Sequence, residues 1–456
     1  MRRYVAQGKE RWHTPGHKGQ SPDKEGLALP WSWDVTEVGD LQRTGGDDDP
    51  VLRSEILLAE QLGVERSWFS VQGASLPVMA AILAAFPPGS TVAVERHAHR
   101  SVLSALIVGD LYPHWIGTRH SDDGRVLPAT EADWQEALNG EVAGLVLTRP
   151  TYDGLALFDD GTARIIANAH AKGLSVVVDE AHGSHFPGRE GFPRSAINLG
   201  ADLVAHGVHK TEPSLTQTGV LHLQGGRVTS KAVDWWWGLL GTSSPSYILL
   251  ASLDQWQALR GKAEISAAWT RLAADVRRLW DDLSQSGYAV WQVEAERDFG
   301  LAVDPSKLSL RGPGPELAHD LAQIGYVEKV EAGLVTLFFS PGQSLSGLRR
   351  KLEQGKAISP HQDHPLTAAP GLPLSVLSPR AAAMGGLEWL PLRQCVGRIA
   401  ARSLVPYPPG SPWIVPGERF SSDLVGKILQ SRERLERAWE GGQVIKGELW
   451  IGVVQT

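Results

Sequence analysis

Three polar stretches follow apolar runs of the kind that form buried strands, and each carries side chains that could do chemistry. One contains Asp179 and His182 and follows three consecutive valines, another spans residues 206–210, and the third spans residues 96–99. Ligands of parallel α/β sheets bind at the carboxyl ends of the strands. The sequence therefore predicts one site to which all three stretches contribute.

The acid of the first stretch, Asp179, has three interpretations. It could bind magnesium, as in DEAH-type nucleotide hydrolysis, but that chemistry needs a phosphate loop of the form G-x-x-x-x-G-K-[ST], which the chain lacks. It could pair with a protonated pyridine nitrogen, which turns the ring into an electron sink. It could also be a carboxylate that only caps the next element.

Lys210 follows another predicted strand end. Burying a lysine amine there costs free energy unless the amine is neutral or covalently bound. Lysines that bind carbonyl compounds covalently occupy such surroundings, whereas a lone lysine is most often a solvated charge. The position of Lys210 one sheet element after Asp179 favours the covalent role.

Two further features fit a phosphorylated aromatic ligand. Gly73, Ala74 and Ser75 precede an apolar helical stretch at residues 76–86, and free backbone N–H groups at a helix start can hold a phosphate. His99 follows another predicted strand, where an imidazole could stack on a heteroaromatic ring or could simply face solvent.

Metal and serine-hydrolase chemistry are poorly supported. Histidine pairs occur at 97/99, 182/185 and 206/209, but there is no H-E-x-x-H motif, and the single cysteine, Cys395, excludes a cysteine-based site. No G-x-S-x-G motif is present either. We expect no metal centre.

The elements that position these side chains alternate between strand and helix. Apolar runs at 91–94, 144–148, 174–178, 202–205 and 220–223 predict strands of a parallel sheet covered on both faces, with helices such as 162–172 between them. We predict an N-terminal arm at 1–50, a large α/β domain at 51–255, and a linker helix plus smaller C-terminal domain at 256–456. The linker helix is expected to run from about 252 to 286.

Composition restricts the partners. The chain has 456 residues, 42% hydrophobic and 21% charged, with a formal net charge of −7. This is the composition of an ordinary globular protein, and its mild acidity gives no reason to expect nucleic acid or an anionic membrane as a partner. Neither a signal peptide nor a membrane span is apparent, and one cysteine suits a reducing compartment, so we expect a cytoplasmic protein.

Taken together, these segments resemble the Orn/Lys/Arg decarboxylase family, the fold-type-I pyridoxal-phosphate decarboxylases of basic amino acids. The likeness covers nearly the whole chain, and its motifs occur in family order. The matching stretches are residues 13–19 (HTPGHKG), 34–37, 72–75, 96–101, 150–154 (PTYDG), 178–185, 209–211, 241–247, 407–410 (YPPG) and 416–418. The resemblance implies an aspartate-aminotransferase-like large domain with a smaller α+β C-terminal domain.

The resemblance also implies roles for individual residues around pyridoxal 5'-phosphate. Lys210 would hold the cofactor covalently, Asp179 would pair with the ring nitrogen, and His99 and Ala181 would cover the two ring faces. His182 would lie beside the ring or the substrate. The phosphate would be held by Gly73, Ala74 and Ser75, with Thr242 or Ser243 of the partner subunit. A homodimer with a shared active site is therefore implied as the minimum unit.

The implied reaction is decarboxylation of a basic L-amino acid to CO2 and a polyamine precursor, with arginine slightly favoured over lysine and ornithine. Lys210 or His209 would protonate the substrate carbon. Glu37 and Glu418 are candidate partners of the substrate's distal cation, or else ordinary structural ion pairs. Gly207 stands where the family usually has a hydroxyl that contacts the phosphate. A catalytically weakened relative therefore remains as one alternative, and an aminotransferase, another reaction of this fold type, remains as a second.

Overall fold

The computed structural model describes residues 5–6, 30–46, 48–121, 125–331, 333–354, 371–407, 411–434 and 438–455. The motif at 13–19, most of the predicted arm, and residues 408–410 of the C-terminal motif lie outside the described residues. Two short 3-10 turns, Trp31–Trp33 and Gly39–Leu41, are the described elements of the arm.

The large domain is built on a seven-stranded sheet in the order β1-β10-β9-β8-β6-β2-β3. The strands of this part of the chain are β1 (Arg66–Ser70), β2 (Thr91–Glu95), β3 (Tyr112–Ile116), β4 (Arg119–His120), β5 (Val126–Leu127), β6 (Gly144–Thr148), β7 (Leu155–Ala156), β8 (Ser175–Asp179), β9 (Leu203–His206) and β10 (Gly219–Leu223). β4 and β5 pair with each other, and β7 pairs outside the main sheet. The five predicted strands are present to within about one residue at each end.

One strand runs against the predicted direction. β10 is antiparallel to both β9 and β1, while the other neighbours in the sheet pair in parallel. A parallel return needs a crossover of a dozen or more residues, usually a helix. The chain between β9 and β10 has only a one-turn helix, Val208–Thr211, so it turns back at the same edge of the sheet.

Helices cover both faces of this sheet, as predicted. They are α1 (Pro50–Leu62), α2 (Ser75–Ala85), α3 (Arg100–Gly109), α4 (Glu131–Asn139), α5 (Asp159–Ala171), α6 (Val208–Thr211), α7 (Ser230–Leu240) and α8 (Tyr247–Arg260). Two separate apolar clusters result, one on each side of the valine-rich strands, which explains why these strands are apolar throughout rather than alternating.

The predicted single linker helix is wrong: it is two helices. α8 ends at Arg260, and α9 (Ala263–Gln285) begins after a break at Gly261 and Lys262. α8 packs on α1, whereas the apolar face of α9 joins the core of the small domain. Each helix therefore serves a different domain, and the break lies five residues beyond the predicted boundary at 255/256.

The chain beyond α9 contains two cores rather than one. Its remaining strands are β11 (Ala289–Val290), β12 (Ala302–Val303), β13 (Lys307–Arg311), β14 (Lys329–Glu331), β15 (Leu334–Phe338), β16 (Leu387–Pro391), β17 (Val405–Tyr407), β18 (Ala438–Glu440), β19 (Gly442–Ile445) and β20 (Glu448–Val454). Its helices are α10 (Trp291–Phe299), α11 (Gly314–Leu321), α12 (Ser346–Gln354), α13 (Pro379–Met384) and α14 (Ser422–Arg434). The first core covers the sheet β11-β13-β15-β14, and the second covers β16-β20-β19.

A strand pairing and a buried ion pair are among the contacts that join these units to the large domain. β12 pairs with β7, which aligns Ala302 with Ala156 and Val303 with Leu155. The second unit is attached through a bidentate ion pair between Arg96 and Glu418. No helix among the described residues is both long enough and apolar enough to span a bilayer.

Candidate active site

A cavity of about 1100 Å³ opens at the edge of the main sheet where the parallel strands end. Since β8 pairs in register with β6 and β9, Asp179 lies level with Thr148 and Ala205. The loops that follow these strands therefore converge on one space. The cavity is lined by every cofactor-binding and catalytic residue that we predicted from this chain's own large domain: Gly73, Ala74, Ser75, His99, Asp179, Ala181, His182, His209 and Lys210.

Lys210 lies within the one-turn helix α6, just past β9, and its Nζ is 2.9 Å from Nε2 of His182. Burial lowers the pKa of Lys210, and the negative charges of Asp179 and Glu328 oppose that shift. Burial also holds the pKa of His182 well below 6.5, with the charge of Lys210 acting in the same direction. The burial that lowers the pKa of Lys210 brings its amine closer to the reactive, deprotonated form, and a neutral His182 can accept a hydrogen bond from it.

Asp179 is the last residue of β8 and is only 5% exposed. Its Oδ1 accepts a hydrogen bond from the backbone N–H of Ala181 at 3.1 Å, which fixes the carboxylate at the strand end. Its charge also acts on Lys210 and His99, opposing the burial that lowers the pKa of each. A buried carboxylate that lines the same cavity as a lysine and an imidazole is suited to keeping a pyridine nitrogen protonated.

His99 caps the N-terminus of α3 and lines the cavity. Its Nδ1 accepts from the backbone N–H of Ser101 at 3.2 Å, which leaves the proton of a neutral ring on Nε2. Desolvation lowers the pKa of His99, Asp179 opposes this shift, and Lys210 adds to it. The ring is therefore neutral and fixed in orientation, as a stacking partner for an aromatic cofactor should be.

The predicted phosphate cradle lies at the start of α2. No side chain caps this helix, so the N–H groups of Ser75 and Leu76 are available for an anion, and the Ser75 hydroxyl is exposed beside them. Gly73 has a φ of 63°, and a Cβ there would come within 3.9 Å of the His209 ring. That distance is an ordinary van der Waals contact, so it is the positive φ of the turn that favours glycine at this position.

His209 lies beside this cradle, and Gly207 precedes it in the same loop. Nδ1–H of His209 donates to the Thr218 carbonyl at 2.6 Å, so its other nitrogen is directed elsewhere. Gly207 has an ordinary φ of −96°, but a Cβ at this position would lie 2.8 Å from the carbonyl oxygen of Ala181 and 3.2 Å from Cδ of Lys210. The neighbours of Gly207 therefore pack so closely that a side chain at this position would require them to shift.

Sequence reasoning missed a group of residues from the loop after β6 and from the small domain. Tyr152 lines the cavity, its ring centroid lies 4.7 Å from that of His182, and its hydroxyl donates to Oε1 of Glu328 at 2.5 Å. Lys329 also lines the cavity and forms ion pairs with Asp153 and Glu331. The PTYDG stretch gave a sequence signal for Tyr152 and Asp153, but no motif indicated residues 328 and 329.

Glu418 does not have the predicted freedom to bind a substrate cation. Its side chain is 1% exposed, and its two oxygens accept from Arg96 at 2.6 and 2.8 Å, while Val415 N–H donates to Oε2 at 2.9 Å. Both oxygens are therefore occupied by structural partners. The alternative interpretation, a structural ion pair, describes Glu418.

Three other predicted residues lie away from the cavity lining of their own chain. Glu37 accepts from the Thr36 hydroxyl at 2.7 Å, and its charge adds to the burial that raises the pKa of Tyr247 to about 12. Thr242 and Ser243 are exposed, and the Thr242 N–H donates to Oε1 of Gln72 at 2.8 Å. The predicted contribution of residues 242 and 243 across a dimer remains a prediction.

A buried hydrogen-bond chain runs behind the cavity across four strands. Glu180 accepts from His206 at 2.8 Å, and His206 is 3.1 Å from His222, whose other nitrogen is 2.9 Å from the hydroxyl of Ser67. Glu180 also accepts from the Ser195 hydroxyl and the Ala196 N–H. Five of the six histidines in the pairs that first suggested metal thus take part in hydrogen bonds, the exception being His97. Within the described ranges no cluster of three or more His, Cys, Asp or Glu is arranged to hold a metal ion.

Comparison with known proteins agrees with this architecture. Arginine decarboxylase of Bacillus subtilis (strain 168) is 29% identical over 472 residues, covering 94% of this chain and 92% of the relative. The constitutive lysine decarboxylase of E. coli superposes with a TM-score of 0.81 at 21% identity, covering 99% of this chain and 81% of that chain. An aspartate aminotransferase from Thermus thermophilus reaches a TM-score of 0.50 at 16% identity, covering 67% of this chain and 90% of the other. The predicted fold class is confirmed.

Family profiles cover most of the sequence. The profile of the Orn/Lys/Arg decarboxylase major domain matches residues 1–330, and that of the Orn/Lys/Arg decarboxylase C-terminal domain matches residues 372–441. The first match alone exceeds half of the chain. This protein belongs to the Orn/Lys/Arg decarboxylase family.

Proposed function

We propose that this protein catalyses the pyridoxal-phosphate-dependent decarboxylation of a basic L-amino acid. The observation that carries the proposal is the meeting of Lys210, Asp179 and His99 with an uncapped helix start around one cavity. These groups fit an aldehyde, a pyridine nitrogen, an aromatic face and a phosphate, which are the four parts of that cofactor. When bound, pyridoxal phosphate supplies an electron sink for the pair left at Cα when the bond to the carboxylate breaks.

The protein's own contribution is binding, orientation and proton handling. The Asp179 carboxylate would stabilise a positive charge on the ring nitrogen of the cofactor, and the burial of Asp179 strengthens that interaction. His99 and Ala181 are candidates for the two ring faces, which would fix the plane against which the substrate's bonds are oriented. Ser75, Gly73 and Ala74 would bind the phosphate at the start of α2.

Lys210 is the proposed donor of the proton that replaces CO2. Its Nζ is 2.9 Å from the neutral imidazole of His182, so proton gain and loss at the amine are supported by a partner within hydrogen-bond distance. His209 is the second candidate, although its Nδ1–H is already committed to the Thr218 carbonyl.

Arginine is the first substrate to test, because the Bacillus subtilis relative carries the name arginine decarboxylase. Lysine and ornithine complete the set, since the solved relative from E. coli carries the name lysine decarboxylase. The product would be a diamine or agmatine, a precursor of polyamines. We further propose a cytoplasmic homodimer in which Thr242 or Ser243 of the partner subunit contributes to phosphate binding.

The deciding experiment is a CO2-release assay on the purified holoenzyme with arginine, lysine and ornithine, with Lys210→Ala as the control. CO2 release with formation of the matching amine is the expected result. Formation of a keto acid without CO2 would identify an aminotransferase instead. A cofactor absorption band that shifts on adding amino acid, with neither product, would identify a catalytically weakened relative.

A further inference from the structure

Glu328 directly precedes Lys329, which lines the cavity, and lies one residue before β14. Its backbone N–H donates to the Thr336 carbonyl at 3.0 Å, which anchors it to the small-domain sheet. Its Oε1 accepts the Tyr152 hydroxyl at 2.5 Å, and the side chain is exposed. A fixed backbone and one fixed carboxylate oxygen give this anion a defined position without burying it.

A short series of contacts connects this carboxylate to the reacting lysine. Tyr152 joins Glu328 to His182 through a ring contact of 4.7 Å, and His182 lies 2.9 Å from Nζ of Lys210. Glu328 is also near enough for its charge to act on the pKa of Lys210, in the direction opposite to burial. Two rings stand between the anion and Lys210, so a ligand attached at the lysine would need a long side chain to reach it.

The other carboxylates at or beside the cavity have cationic partners. Asp153 and Glu331 flank Lys329, with Arg125 3.5 Å from Glu331, and Glu440 lies 3.2 Å from Arg100. Glu418 is paired with Arg96, and Asp179 is the proposed partner of the ring nitrogen. Within the part of the chain that the structure describes, Glu328 has no ion pair with a lysine, arginine or histidine. An exposed negative charge is therefore left beside Tyr152 and Lys329 of the cavity lining.

We propose that Glu328 binds the distal cation of the substrate, the ammonium or guanidinium group at the end of its side chain. The inference rests on the proposed decarboxylation and deepens it, because it names the residue that would select basic amino acids. The Tyr152 and His182 rings would pack along the alkyl part of the side chain, and Tyr152 would hold the carboxylate in place.

The test compares two ligands that differ only in the distal charge. Cadaverine and n-pentylamine share a five-carbon chain, and agmatine extends the comparison to a guanidinium. Their affinities for the holoenzyme would be measured by calorimetry for the wild type, Glu328→Gln and Glu440→Gln, with Glu316→Gln as an exposed small-domain control away from the cavity. Glutamine keeps the size of the side chain and an acceptor for Tyr152 while it removes the charge.

In the wild type, cadaverine and agmatine are expected to bind more tightly than n-pentylamine. Glu328→Gln should weaken the two dications by about tenfold or more, the range of a lost charge-assisted contact, and leave n-pentylamine unchanged. Glu440→Gln and Glu316→Gln should retain the wild-type preference, and decarboxylation of lysine should show the same pattern in KM.

Two results separate the inference from the function on which it rests. If the wild type releases CO2 from basic amino acids but Glu328→Gln keeps the full preference for dications, the assignment of Glu328 is wrong and the proposed function stands. The assignment is equally wrong if Glu440→Gln removes the preference instead. If the wild type releases no CO2 from arginine, lysine or ornithine, the proposed function fails and the inference fails with it.

Discussion

His206 and Glu180 are joined by a hydrogen bond of 2.8 Å between two side chains that are at most 1% exposed. His206 is the last residue of β9, four residues before Lys210, and Glu180 directly follows Asp179. The bond therefore connects the end of β9, which leads to Lys210, with the end of β8, which carries Asp179. These are the residues proposed to bind the cofactor covalently and to pair with its ring nitrogen. His222, on β10, extends the chain of hydrogen bonds to the next strand.

His222 should make the protein less stable in mild acid. Burial lowers its pKa well below 6.5, with the charge of His206 acting in the same direction. Below about pH 6.5 the unfolded chain binds a proton at this histidine that the folded chain does not bind. The contribution of the neutral His222 to the free energy of unfolding is therefore fully present above about pH 6.5 and is lost as the pH falls below it. His222→Gln should reduce the slope of unfolding free energy against pH between 6.5 and 5 by up to about 1.4 kcal/mol per pH unit. Denaturant titrations at several pH values measure it, with the exposed His114→Gln as control. An unchanged slope would contradict the buried neutral assignment.

Lys210 is expected to carry the cofactor. Borohydride reduction of the holoenzyme followed by peptide mapping should label this residue. The competing lysine is Lys307, whose pKa burial lowers to about 8. Its side chain is 0% exposed, however, and its Nζ already donates to the Tyr152 carbonyl at 3.0 Å. A label on Lys307 or any other lysine would show that the assignment is wrong.

Asp179→Asn should leave cofactor binding largely intact and lower turnover by several powers of ten. An asparagine Oδ1 can keep the hydrogen bond from Ala181 N–H, so the strand end is preserved while the charge is lost. Only an ionised carboxylate stabilises a protonated ring nitrogen. Retention of more than about a tenth of the wild-type turnover, roughly 1.4 kcal/mol of barrier, would exclude the electron-sink role.

Gly207→Ser tests the family's hydroxyl position. A serine there could add a phosphate contact, but its Cβ would meet the Ala181 carbonyl at 2.8 Å and the Lys210 side chain at 3.2 Å. We expect weaker cofactor binding in titrations of the apoprotein. Gly207→Ala is the matched variant, because it adds the same Cβ without the hydroxyl. If the Gly207→Ser variant bound the cofactor more tightly than the wild type, the loop would have room for the side chain, and the wild type would simply lack the hydroxyl contact to the phosphate.

Glu418→Gln should destabilise the fold rather than alter substrate recognition. Removing the charge leaves Arg96 buried without its counter-ion, and breaking such a pair typically costs about 3–5 kcal/mol. Arg96→Met together with Glu418→Leu should recover part of that loss, because no buried charge then remains unpaired. Thermal unfolding measures the stability, and KM on the folded enzyme measures recognition. A stable Glu418→Gln variant with a raised KM would restore the substrate-binding interpretation.

The sequence predicted those parts of the site that depend on local order along the chain. Asp179 and Lys210 each follow an apolar run, and such runs define strand ends well. The direction of β10 was missed because a one-turn helix at 208–211 leaves no periodic signal. The proposed role of Glu328 was not predicted, and the two interpretations of Glu418 stayed open, for another reason. Whether a carboxylate forms an ion pair depends on cations that lie far away along the chain, as Arg96 lies far from Glu418 in sequence and yet pairs with it.

The pairing of β7 with β12 limits how the enzyme can move. β7 begins two residues after Asp153 and pairs with Ala302 and Val303. A further hydrogen bond, from the Asp304 N–H to the Gly154 carbonyl at 2.8 Å, extends this pairing. A hinge rotation of the small domain would have to break these bonds. The wall between Tyr152 and Glu328 is therefore assembled before any ligand arrives. The conformational entropy that these bonds fix is lost on folding rather than on binding, which favours a pocket that is preorganised for its ligand.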